Sequence, residues 1–81
     1  MGDAMIHLSH YQWRILTAIQ RYIAQHGMSP SIRDISAGAG ISSTAVVHHH
    51  LNILEGDGLI SRQQGIDRTI VLHTGKVGFQ P

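Results

Sequence analysis

The chain has 81 residues, 42% of them hydrophobic, and its six Lys and Arg against five Asp and Glu leave a formal charge of +1; this is room for one module, near the lower size at which a core holds without staples. It has no cysteine, which excludes disulfides, thiolate metal sites and cysteine nucleophiles and suits a reducing compartment, so the cytoplasm is expected. No apolar stretch approaches the roughly 20 residues that cross a bilayer, and Met1 to Ile6 carry no cationic, apolar export signal, so neither membrane insertion nor export is expected.

Residues 1–8 read as an N-terminal extension. Ser9 and Gln12 then form an S-x-x-Q capping box, which predicts a helix from about His10. Trp13, Leu16, Ile19, Tyr22 and Ile23 recur at three- and four-residue steps and define its buried face, with Gln12, Arg14, Gln20, Arg21 and Gln25 largely elsewhere. Gly27 ends the helix and Pro30 blocks its continuation. Ser31 and Asp34 repeat the capping pattern for a short second helix with Ile32, Ile35 and Ala39 on one side, and Gly38 and Gly40 bracket its end. In the tight connection that follows, Gly40 takes positive φ, Ile41 plugs the core, and Ser42 or Ser43 caps the next helix.

The third helix is predicted from about Ser43 to Glu55, stacking Val47, Leu51 and Leu54 with His50 beside them, and is stopped by Gly56, Asp57 and Gly58. Leu59 to Gln63 and Arg68 to Leu72 read as two short strands around a Gln64-Gly65-Ile66-Asp67 turn. Residues 74–81 read as a linker stub or frayed tail, so residues 9–73 form the domain.

Helix, short helix, tight turn, helix and hairpin is the order of a winged helix-turn-helix, a mainly α fold with a small β-hairpin. In that fold the third helix enters the major groove of double-stranded DNA and the hairpin is the wing. The start of the third helix is small and polar at Ser42, Ser43, Thr44 and Ala45. Such residues allow close approach, hydroxyl contacts to phosphate or base edges, and methyl contacts to thymine. The helix starts at Ser31 and Ser42 offer free amides to phosphate. Arg62, Arg68 and Gln63 or Gln64 stand where a wing follows the DNA backbone, and Arg33 on the second helix is placed to do likewise.

Pro30-Ser31, Asp34-Ile35, Gly40-Ile41, Ser43, His50-Leu51, Leu54 and Gly58-Leu59-Ile60, in that register, resemble the operator-binding domain of LexA-type bacterial repressors. The likeness extends from Leu8 to Leu72. The resemblance implies that Ser43, Ala45, Val46, His48 and His49 hold the base-reading positions while Ser31 and Arg33 approach phosphate. It also implies a repressor of the SOS, DNA-damage response in the bacterial cytoplasm or nucleoid. Repressors of this type carry a C-terminal serine-lysine autopeptidase domain that these 81 residues do not reach, so the chain reads as either a fragment or a stand-alone relative. Ala39-Gly40 matches the dipeptide such repressors cut, but it falls in the turn between helices and reads as structural.

Seven histidines stand against six Lys and Arg, so acid makes this surface more cationic and hints at pH-sensitive binding. Consecutive helix residues project about 100° apart, so His48, His49 and His50 do not converge on one metal ion. His7 and His10 lack a third ligand. Asp3, Asp34, Glu55, Asp57 and Asp67 are too scattered for acid-base work, and Ser42 and Ser43 have no base beside them, so neither catalysis nor a cofactor is expected. The reading is a sequence-specific repressor module that binds an inverted-repeat operator as a weak pair. Its rival, supported by the low net charge and few lysines, is a winged-helix module that docks a regulator or polymerase.

Overall fold

The computed structural model describes residues 8–73. Both capping boxes close as the sequence predicts. Ser9 Oγ accepts from the Gln12 amide at 3.2 Å while Gln12 Oε1 accepts from the Ser9 amide at 3.0 Å, and this opens helix α1, His10–His26. Gly27, at φ 71°, closes α1 by donating its amide to the Ile23 carbonyl at 2.8 Å. Ser31 and Asp34 make the same reciprocal pair at 3.1 and 2.9 Å at the head of α2, Ile32–Ala39. Ser43, rather than Ser42, caps α3, Thr44–Gly56, by accepting from the Val46 amide at 3.2 Å.

The hairpin is shorter than the sequence suggests. β1 is Ile60–Ser61 and β2 is Val71–Leu72, antiparallel, with Ile60 opposite Leu72 and Ser61 opposite Val71. The ladder stops there because the Thr69 hydroxyl takes the Gln63 amide at 2.9 Å and donates to the Ile66 carbonyl at 3.0 Å. Arg68 is left-handed at φ 61°, a backbone that no regular strand contains.

The three helices enclose one core of Ile15, Leu16, Ala18, Ile19, Ile35, Ala39, Ile41, Val47, Leu51 and Leu54, sealed on the hairpin side by Leu59, Ile60 and Ile70. Its α1 face differs from the expected one. Ile15 and Ala18 are buried while Trp13, Tyr22 and Ile23 are only half-buried, because α1 packs against both α2 and α3 and needs a wider stripe. Gln12 also turns inward, at 8% exposure. A Cβ on Gly38 would stand 3.2 Å from the Ala18 Cβ, so the glycine lets α2 lie close on α1.

Leu8 packs against this core. The remainder of the expected extension and the tail, residues 1–7 and 74–81, lie outside the described residues, and so does His7. Among the described residues no helix is long and apolar enough to cross a membrane.

Candidate nucleic-acid interface

The turn between α2 and α3 is fastened at several points. Gly40 adopts φ 68°, Ile41 donates its amide to the Ser36 carbonyl at 3.0 Å and buries its side chain, and the Ser36 hydroxyl bonds the Ile41 carbonyl. From α1, Arg14 Nε donates to the Ala39 carbonyl at 2.9 Å and Nη2 to the Gly40 carbonyl at 3.0 Å. Sequence periodicity alone places Arg14 away from this role. A cation at the C-terminal end of a helix also meets the negative end of its dipole.

With Val47, Leu51 and Leu54 fully buried, the other face of α3 is held outward. Ser42, Ser43, Thr44, Ala45, His48, His49 and Asn52 are all exposed there, and Val46 is half-buried against the core. Seven of the residues expected to meet DNA therefore lie on one continuous tract at the start of α3. Asn52 lies four residues beyond His48 on the same face, a spacing already present in the sequence.

His48 and Asn52 line a cleft of about 440 Å³, whose opposite wall is the wing from Arg62 to Ile70. Gln63 and Gln64 are exposed on that wall, with the apolar Ile66 at 57% exposure near its tip. On the other side of the tract, exposed Arg33 shares a shallow groove with Ser42 and Thr44. Ser31 is half-buried and its hydroxyl is engaged with the Asp34 amide.

The two wing arginines, expected from the sequence to follow the DNA backbone, are each engaged within the domain. Arg62 folds back on α3, where Nε meets Glu55 Oε1 at 3.3 Å and Nη2 bonds Asn52 Oδ1, leaving its side chain 10% exposed. Arg68 Nη1 lies 3.0 Å from both Asp34 Oδ2 and the Tyr22 hydroxyl, and 3.4 Å from the Ser29 carbonyl oxygen. Asp34 is held below the usual carboxylate range, chiefly by the Ser31 amide that donates to it and in smaller part by Arg68.

His50 sits behind the exposed tract. Its Nδ1 faces Gln12 Nε2 at 3.4 Å and its ring lies 5.5 Å from that of Tyr11. Burial lowers its pKa, with His49 a smaller influence of the same sign. Neutral imidazole is thus favoured at the back of the interface.

A family model described as the LexA DNA binding domain matches residues 5–69. The chain belongs to the LexA DNA-binding domain family. Among its relatives, the LexA repressor of Carboxydothermus hydrogenoformans is 40% identical over 65 residues, covering 80% of this chain and 32% of that protein. The LexA repressor of Roseiflexus sp. is 46% identical over 63 residues, covering 78% and 29%. That of Clostridium novyi is 46% identical over 59 residues, covering 73% and 29%. The chain spans about a third of the length of the first of these relatives. As a LexA DNA-binding domain it presents the three-helix and hairpin architecture of a winged helix-turn-helix, and the family match takes in the α3 side of the cleft and its wing side as far as Thr69.

Proposed function

We propose that this LexA DNA-binding domain is the operator-reading module of a transcriptional repressor. α3 lies in the major groove of double-stranded DNA and the wing runs along the flanking backbone. The observation that carries this reading is the exposed, small and polar tract of Ser42 to Ala45 followed by His48, His49 and Asn52, on a helix whose opposite face is locked in the core. Ser43, Thr44, Ala45, Val46, His48 and His49 meet base edges. Ser42, Arg33, the helix start at Ser31, and Gln63 and Gln64 of the wing meet phosphates. Two copies occupy an inverted repeat, each binding weakly alone, and the module acts by occupying its site in the bacterial cytoplasm.

Fluorescence anisotropy against a randomised duplex pool and a duplex selected from it, at ~50 and ~200 mM salt, tests this. Arg33 is the one cation among these phosphate contacts and neutral donors displace fewer counterions, so the slope of log K against log salt is about −1 to −2. Selective binding with such a slope is the expected result; binding indifferent to both sequence and salt overturns the proposal.

A further inference from the structure

A ladder of two residues per strand does not hold a hairpin in place by itself, so the wing must be fixed by side chains. One fixture is Ile70, buried at the base of the wing, with its amide donated to Ser29 Oγ at 3.0 Å. The other is Arg68. Its Nη1 reaches Asp34 Oδ2 and the Tyr22 hydroxyl at 3.0 Å each, and its guanidinium lies over the Tyr22 ring at 5.9 Å from the centroid. Asp34 Oδ2 in turn accepts the Ser31 amide at 2.9 Å, so Arg68 is tied to the cap of α2 and to α1 at once. Among the described residues Arg68 alone combines positive φ with a side chain, a conformation that persists where the surroundings over-determine it.

We propose that Arg68 is the positioning residue of the wing: its guanidinium fastens the hairpin to Asp34 and Tyr22 and thereby sets the opening between the wing and α3. Its charge is matched within the domain, so it does not count among the phosphate contacts, although a hairpin arginine in this fold reads from sequence as one. The consequence for DNA rests on the operator-reading function proposed above. The fastening itself does not.

The test uses the whole chain and three variants. Arg68→Asn removes the guanidinium and leaves a residue that tolerates the left-handed backbone. Arg68→Lys keeps a cation able to reach Asp34, and Tyr22→Phe removes one acceptor. Amide hydrogen exchange without DNA is compared between the wing and the core of α3. Arg68→Asn is expected to speed exchange of the Ser61 and Ile70 amides severalfold while the Leu51 and Leu54 amides keep their protection, with partial recovery in Arg68→Lys. Against a duplex selected by the unsubstituted chain, Arg68→Asn is expected to weaken binding severalfold while the salt slope stays within about 0.3 of its original value; a lost phosphate contact instead lowers it by about one. Unchanged wing exchange, or a slope reduced by one, overturns the proposal. If Arg68→Asn does not fold, Tyr22→Phe carries the same test, and wing exchange unaltered in that variant overturns it. An unsubstituted chain that binds no duplex sinks the operator-reading function, and the exchange measurement still decides the fastening.

Discussion

The guanidinium of Arg14 occupies the place where any other residue at Gly40 would carry its side chain. Nη2 stands 2.8 Å from the position of a Cβ on Gly40 and 3.0 Å from the Gly40 carbonyl oxygen. Gly40→Ala therefore meets two obstacles, a left-handed backbone at φ 68° and a displaced arginine. The expected loss is about 2 kcal/mol, read as a lower urea midpoint with an unchanged slope; a midpoint equal to that of the original chain contradicts this account.

Arg14→Met removes both donors from the carbonyls that end α2. Charged hydrogen bonds of this kind contribute about 1.5 to 3 kcal/mol, and one of the two is exposed, so a loss of about 2 kcal/mol is expected in the same denaturation experiment.

Acid should weaken the fold in two separate steps. Burial depresses the pKa of His50 in the folded state, so the unfolded chain takes up the proton first. The stability this contributes is complete above the ordinary 6.5 and declines as the pH falls from there toward the folded pKa. Asp34, also depressed, contributes stability that is present above 3.8 and lost as the pH falls through its folded value. Melting temperatures measured from about pH 7.5 down to about pH 3 should show the first decline vanish in His50→Gln while the second remains. Identical profiles for the two chains would remove His50 from the account.

Ser43→Ala deletes the cap of α3 and is expected to cost about 1 kcal/mol. Thr44→Ala with His48→Ala touches only exposed positions, so the melting temperature should hold. Discrimination between a selected and a mixed duplex should fall by about 1 kcal/mol or more. A melting point that drops with discrimination intact reverses the assignment of these residues.

What the sequence makes legible here is what is local. The pairs Ser9 with Gln12 and Ser31 with Asp34 span three residues, and Gly27 and Gly40 end helices by their own conformation, so the helix order and the place of Ile41 follow directly. The exposed start of α3 follows too, because Val47, Leu51 and Leu54 settle which face turns inward. What stayed hidden depends on partners far along the chain. Gln12 turns inward toward His50, Arg14 reaches across to the end of α2, and Arg68 is engaged by Tyr22 and Asp34. Periodicity sorts such polar residues to the surface, since it has no means of knowing that a distant group will receive them.

The Ala39-Gly40 peptide group lies inside the arginine clasp. The Ala39 side chain is buried and its carbonyl is held by Arg14, while the Gly40 amide is donated to the Ala37 carbonyl at 3.3 Å. A peptidase cleft takes its substrate as an extended strand, which this bond becomes only when the last turn of α2 unwinds and Arg14 lets go. Nicking at this bond by an added protease is therefore a clock for the opening of one helix end, and its rate reports how often the support beneath α3 gives way.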